Sequence, residues 1–150
     1  MKNNFSCIIV DDEPKAIELL KDCINYLFPN LDVIGSYTSW TVALPALRTT
    51  ECDILFLDVS MPGKTGLDLL TLLPDLETEI IFVTAHSEHA MSAFKFAPSG
   101  YILKPIDDTQ LTQAVKKSME RSQLKKAAKN TPPTSSSQKI ADYIQLGTKG

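Results

Sequence analysis

Phe5-Ser-Cys-Ile-Ile-Val10-Asp11-Asp12-Glu13-Pro14 is a short apolar run that ends in three acids and a proline. The run has the length of a strand, and Pro14 stands where the first position of a helix tolerates proline. Ile17, Leu20, Ile24, Leu27 and Phe28 then recur on one helical face. A fully apolar strand feeding an amphipathic helix is the opening unit of a parallel sheet covered on both faces.

The alternation continues outward from that unit. Asp32 to Tyr37 reads as a second strand, and Trp40, Ala43, Leu44 and Leu47 come next at helical spacing. Pro45 interrupts that stripe, and a proline inside a helix costs about 3 kcal/mol and kinks or breaks it. Ile54 to Leu57 is a third strand, Gly66 to Leu73 a helix ending before Pro74, and Ile80 to Val83 a fourth strand. Ser87 is a candidate cap for a helix bearing Ala90, Ala93, Phe94 and Ala97, and Tyr101 to Leu103 is the fifth strand. Asp107 and Gln110 open a fifth helix carrying Leu111, Ala114, Val115, Ser118 and Met119. The fold class is α/β, a doubly wound five-stranded parallel sheet.

The 150 residues are 43% hydrophobic and 22% charged, a composition able to bury one core. Net charge is only -3, yet residues 1–115 hold 7 Lys+Arg against 16 Asp+Glu, and residues 116–150 hold 8 against 2. An acidic body repels phosphate backbones and suits a cation or a basic partner, so DNA contact by the body is excluded. Cys7, Cys23 and Cys52 contain no C-x-x-C pair, which leaves buried reduced thiols. No signal-like or membrane-spanning stretch occurs, and the chain is expected in the cytoplasm, with no membrane partner.

In an open parallel sheet, ligands bind beyond the carboxyl ends of the strands. The residues at those ends are Asp11, Asp12 and Glu13 after the first strand, Asp58 after the third, Thr84 after the fourth, and Lys104 and Pro105 after the fifth. Neighbouring carboxylates in a partly buried cleft require raised pKa values or a counter-charge. The oxygens of Asp11, Asp12 and Asp58 suit Mg2+, and with no His or Cys beside them they disfavour zinc. Three carboxylates, one Mg2+ and Lys104 sum to zero formal charge, which leaves room for a phosphoryl dianion. Each piece also has an ordinary explanation: the acids could cap the first helix, Thr84 could satisfy its own backbone, Tyr101 could be a core aromatic, and Lys104 could be a solvated turn residue. Their joint placement at four strand ends favours a phosphate site.

Four segments carry a resemblance: Ile-Ile-Val-Asp11-Asp12-Glu13-Pro, Leu-Phe-Leu-Asp58-Val-Ser-Met-Pro-Gly-Lys-Thr-Gly66, Ile-Phe-Val-Thr84-Ala85-His86 and Gly-Tyr101-Ile-Leu-Lys104-Pro105. Over residues 5 to about 122 the chain resembles the receiver domain of bacterial two-component response regulators, and from Phe82 to Ile106 the LytTR (LytR/AlgR) class. The resemblance implies the flavodoxin-like receiver fold with strand order 2-1-3-4-5. It implies Asp58 as the phosphoacceptor, served by a sensor histidine kinase. Mg2+ or Mn2+ would be held by Asp11, Asp12, Asp58 and the backbone carbonyl of Ser60. Lys104 and Thr84 would bind the phosphoryl group, Thr84 and Tyr101 would form the switch, and Pro105 would follow a cis peptide bond. Ser60 and His86, two residues after Asp58 and Thr84, would tune hydrolysis. A phosphorylation-dependent homodimer through helix four, strand five and helix five is also implied, with Phe94, Lys95 and Tyr101 in or beside that face.

The expected organisation is a receiver at residues 1–125, a flexible linker at 126–138 and the opening strand of a C-terminal DNA-binding domain at 139–150. DNA would be contacted only through that output domain. Lys116, Lys117, Arg121, Lys125, Lys126 and Lys129 are read as a solvated face, with contact to flanking DNA as the alternative. Gly63-Lys-Thr is not a P-loop, because Asp58 stands where the motif needs its first glycine. The chain is therefore expected to be a phosphoacceptor switch and not an enzyme in the ordinary sense. Two rivals stand: a phosphorylation-independent interaction module that keeps the fold, and a phosphohydrolase using Asp58 as nucleophile. Such phosphohydrolases carry a second acid where this chain has Ser60.

Overall fold

The structure, a computed structural model, describes residues 4–130. Five parallel strands form one sheet in the order β2-β1-β3-β4-β5: β1 (Phe5–Val10), β2 (Leu31–Tyr37), β3 (Ile54–Leu57), β4 (Glu79–Thr84) and β5 (Gly100–Leu103). The fold class and strand order expected from the sequence are those observed. The helices are α1 (Pro14–Leu27), α2 (Trp40–Thr49), α3 (Gly66–Thr71), α4 (Ala90–Ala93) and α5 (Asp108–Asn130), with a 3-10 turn at Phe94–Phe96.

Alternating side chains of the central strands feed two cores. Cys7, Ile9, Phe56 and Ile81 pack with Ile17, Leu20 and Ile24 of α1 and with Leu111 and Val115 of α5. Ile8, Val10, Leu55, Leu57 and Phe82 pack on the other face with Ala43 and Leu47 of α2, Leu69 of α3 and Ala93 of α4. The register aligns Val10 with Leu57, Leu57 with Phe82, and Thr84 with Leu103. All carboxyl ends therefore open on one edge, with β1 and β3 adjacent at the point where strand order reverses.

Three elements differ from the sequence expectation. Helix α2 runs through Pro45, anchored by Ala43 and Leu47, both buried. Ser87 makes no side-chain cap; α4 is a single turn followed by the 3-10 turn, and Ala97 takes a left-handed conformation with φ 48°. Alanines bury little area, and only Ala93 is buried in α4, so a long helix has little to hold it. Phe94 is correspondingly exposed.

The largest correction concerns α5, which is helical through residues 126–130, where the sequence reading expects the linker to begin. Its basic run is not simply a solvated face. Arg121 Nε lies 2.9 Å from Glu79 Oε1, Lys125 pairs with the same carboxylate, and Ser99 Oγ donates to it at 2.8 Å. Lys126 Nζ lies 2.8 Å from Asp53 Oδ1, which also accepts from Ser122 Oγ, and Lys129 pairs with Glu77. Burial alone would raise the Asp53 pKa, but Lys126, the Ser6 N–H and Ser122 hold it below the usual carboxylate range. The acids stand at or just before the starts of β3 and β4, so α5 is strapped to the amino edge of the sheet, opposite the candidate site. Residues 131–150, which hold most of the expected linker and the expected output strand, lie outside the described residues.

Glu79 is only 2% exposed, and stripping its cations would leave a stranded charge. The double variant Arg121→Ala/Lys125→Ala is therefore expected to lose about 3 kcal/mol in urea denaturation. Adding Glu79→Gln to that pair should recover most of the loss.

Candidate functional site

Each strand delivers its side chain through a backbone bond that fixes the loop's first residue. The Asp11 N–H donates to the Tyr37 carbonyl at 3.1 Å, Asp58 N–H to Val10 at 2.9 Å, and Lys104 N–H to Thr84 at 2.8 Å. Asp11 and Asp58 thus emerge side by side, each 5% exposed, with Lys104 arriving two strands away. The Lys104 ammonium sits 2.8 Å from Asp11 Oδ2 and 3.6 Å from Asp58 Oδ2. The Lys104–Pro105 peptide is cis, as the resemblance implied.

The loop after β3 folds back tightly over Asp58. Ser60 N–H donates to Asp58 Oδ1 at 3.2 Å, and Gly66 N–H donates to the Val59 carbonyl at 2.8 Å. Gly66 is required by space: a Cβ there would lie 2.4 Å from the Asp58 carbonyl oxygen. Thr65 and Asp68 form a reciprocal capping box that starts α3 directly after this turn. On the other side, Asp11 Oδ1 accepts from the Glu13 N–H at 2.9 Å, which orients Asp11 at the mouth of α1.

Burial and the Asp11 charge push the Asp58 carboxyl above the usual carboxylate range, against the opposing pull of Lys104, the Thr84 hydroxyl and the Ser60 N–H. Burial also disfavours the Lys104 charge, but its hydrogen bond to Asp11 and the charges of Asp58, Asp11 and Glu13 outweigh it and hold its pKa above the usual lysine value. One ammonium does not neutralise this pocket. Carboxylate oxygens of Asp11, Asp12 and Glu13 lie within 4.8 Å of one another. An oxygen-only set with excess negative charge fits a hard divalent cation.

Thr84 is fully buried at the end of β4, and its Oγ1 accepts the His86 N–H at 3.3 Å. Tyr101 is half-buried; its ring lies 5.8 Å from Phe82, and its hydroxyl donates to the His86 carbonyl. Burial, with Glu88 and Asp58, raises the Tyr101 pKa. His86 itself is half-exposed, with Nδ1 3.0 Å from Glu88 Oε1. Asp11, Asp58, Lys104 and Thr84 are therefore brought together, Asp12 and Ser60 flank them, and Tyr101 reaches the loop after β4. Sequence reasoning placed Trp40 on the apolar face of α2 but missed its contact, the indole lying against Gly63 in the loop after Asp58. No spacing signal connects those two positions.

Residues 7–116 match the response regulator receiver domain. The chain belongs to that family. A positive alginate biosynthesis regulatory protein of Pseudomonas aeruginosa is 33% identical over 147 residues, 97% of this chain and 59% of that protein. An uncharacterised response regulatory protein of Vibrio vulnificus is 36% identical over 114 residues, 75% of this chain and 47% of that protein. The chain spans about half the length of the curated relatives it matches. Among solved structures, the response regulatory domain of mrkE from Klebsiella pneumoniae superposes with a TM-score of 0.71 at 30% identity, covering 79% of this chain and 98% of that one. A response regulator of Thermotoga maritima in complex with Mg2+ and beryllium fluoride superposes at 0.67 with 27% identity, covering 76% of this chain and 98% of that one. Among the described residues of this receiver domain, no helix is long and apolar enough to cross a membrane.

The charge arrangement makes a signed prediction. A buried carboxyl with a raised pKa is ionised at neutral pH at the folded state's expense. Asp58→Asn is therefore expected to raise Tm at pH 7 in EDTA by roughly 4 °C, the shift about 1 kcal/mol produces in a domain of this size. The gain should shrink as pH falls through the raised folded pKa toward the ordinary carboxylate value, where Asp58 is protonated folded and unfolded alike. Thermal melts of both chains across that range check it.

Proposed function

We propose that this receiver domain is a phosphorylation switch in which Asp58 accepts a phosphoryl group from a phosphohistidine of a sensor kinase. The observation that carries the reading is the buried Asp58 carboxylate, shared through Lys104 with Asp11 at the switch point of the sheet. An Asp58 oxygen attacks phosphorus, the P–N bond to the kinase imidazole breaks, and that nitrogen keeps the electron pair and takes up a proton. The product is an acyl phosphate on Asp58.

Positioning and charge neutralisation supply most of the catalysis in such a transfer. Lys104 holds the phosphoryl oxygens as a point charge, and the Thr84 hydroxyl donates to them. Asp11, Asp12, Asp58 and the Ser60 carbonyl would hold Mg2+ or Mn2+. When bound, that cation supplies charge neutralisation for the carboxylates and the incoming phosphoryl oxygens. The Thermotoga relative's complex with Mg2+ and beryllium fluoride supports this assignment. Glu13 lies close enough to join through water but is left outside the ligand set.

Thr84 and Tyr101 form the switch. Both act on the short loop at His86, through its N–H and its carbonyl, so a hydroxyl drawn toward the phosphoryl group changes the loop that anchors Tyr101. The face of α4, β5 and α5, with exposed Met91 and Phe94 and the partly exposed Leu103, then forms the homodimer. Ser60 leaves water a route to the acyl phosphate, and His86, turned toward Glu88, adjusts that route from outside.

The output is a LytTR-type DNA-binding domain, and the intact protein is a cytoplasmic transcription regulator. The match to the alginate regulator over 97% of this chain supports an organisation shared beyond the receiver. With α5 helical to Asn130, a linker would begin only beyond it, and residues 139–150 would open the output domain. A phosphohydrolase is not favoured, since Ser60 supplies no second acid; an interaction module without phosphorylation is not favoured, since none of the acids nor Lys104 is missing.

Acetyl phosphate with Mg2+ is expected to give a single labile phosphoryl adduct by intact mass, absent in EDTA and in Asp58→Asn. Lys104→Ala should bind Mg2+ yet show little of the switch, read as loss of phosphorylation-dependent dimerisation by size-exclusion chromatography. No adduct under any condition would favour the interaction module, and steady phosphate release would favour the phosphohydrolase.

A further inference from the structure

The loop between β3 and α3 carries Ser60 and closes over Asp58, yet it has few ties to the rest of the molecule. Among the described residues its hydrogen bonds run to Asp58, to itself and to the start of α3: Ser60 to Asp58, Lys64 to Pro62, Gly66 to Val59, Leu69 to Thr65, and the Thr65 and Asp68 box. Val59 and Met61 anchor its first half by burial in the core beneath α2 and α3. Its outer half is held differently. Gly63 has a left-handed φ of 88°, and a Cβ there would lie 3.0 Å from Trp40 Nε1. Lys64 Nζ lies 5.2 Å from the centre of the Trp40 ring, a cation–π distance.

Trp40 opens α2 and packs against the same core as Val59 and Met61. The indole is therefore a rigid wedge between α2 and the loop. The glycine backbone lies against its nitrogen edge, and the lysine next in sequence sits over the ring. Gly63 contributes on two counts, since its φ is strained for other residues and a side chain would press on the indole.

We infer that Trp40 is a positioning residue for the cation and phosphoryl site, bracing the β3–α3 loop so that the Ser60 carbonyl and N–H are presented to Asp58 and its cation. The inference rests on the proposed function, because it concerns the same pocket. It also makes Trp40 an optical reporter. It is the chain's one tryptophan, and a divalent cation drawn to the loop alters the field and packing around its indole.

The test uses the full chain, Mg2+ as the probe and acetyl phosphate as donor. Titrating Mg2+ into the natural chain should change tryptophan emission saturably, with the midpoint that governs adduct formation by intact mass. Trp40→Ala should raise the half-saturating Mg2+ concentration about ten-fold, as losing a ligand's support does. Its rate at saturating Mg2+ should stay within about two-fold, since the reacting groups are untouched. Trp40→Phe, which restores an aromatic wedge, should recover most of the affinity. Lys64→Ala keeps the indole and the core, so its Mg2+ midpoint should rise while its melting temperature holds.

Emission that ignores Mg2+, or Trp40→Ala and Lys64→Ala chains that titrate like the natural one, would overturn the inference and leave Trp40 as packing. Absence of any adduct in the natural chain would overturn the phosphoacceptor reading itself. That outcome is distinct from an adduct whose Mg2+ dependence ignores Trp40.

Discussion

Everything at the carboxyl edge of this sheet depends on crowding of like charge. β1 and β3 are neighbours, so the acids that end them emerge together, and the apolar strands behind them exclude water. A single ammonium, Lys104, arrives from β5 and spans Asp11 and Asp58. Among the described residues the two nearly buried carboxylates share one cationic partner, and with Asp12 and Glu13 close by they form a pocket short of positive charge. In the proposed switch that deficit would favour a divalent cation and a phosphoryl group together, each supplying what the other lacks.

The opposite edge is built on the reverse arrangement. Glu79 and Asp53 are nearly buried acids supplied with cations in excess by α5, which passes Arg121, Lys125 and Lys126 over them in successive turns. One edge is saturated and holds the helix; the other is left short of positive charge. Arg121 also donates through Nη2 to the Ala97 carbonyl at 3.1 Å, tying the end of the α4 region to the strapped helix.

The fold and the heart of the site were legible because they lie in one-dimensional pattern. The largely apolar strands β1, β3, β4 and β5, of four to six residues, lead to or end in Asp11, Asp58, Thr84 and Lys104, and parallel topology puts all four on one edge. The role of the basic run was not legible. Composition reveals the cations of α5, but Asp53, Glu77 and Glu79 look like loop acids until the sheet places them beneath that helix. The fourth helix misled for a related reason: alanine spacing mimics an amphipathic stripe without offering area to bury. Trp40 read as core, and only the left-handed turn at Gly63 brings the loop onto it.

Borohydride trapping of the phosphorylated chain tests the central claim most directly, because it reduces an acyl phosphate to a primary alcohol at the residue that carried it. After acetyl phosphate and Mg2+, peptide mass spectrometry should find the reduced side chain at Asp58 alone, and nowhere when Mg2+ is removed. Reduction at Asp11, Asp12 or another acid, or none at Asp58 with Mg2+ present, would contradict the account.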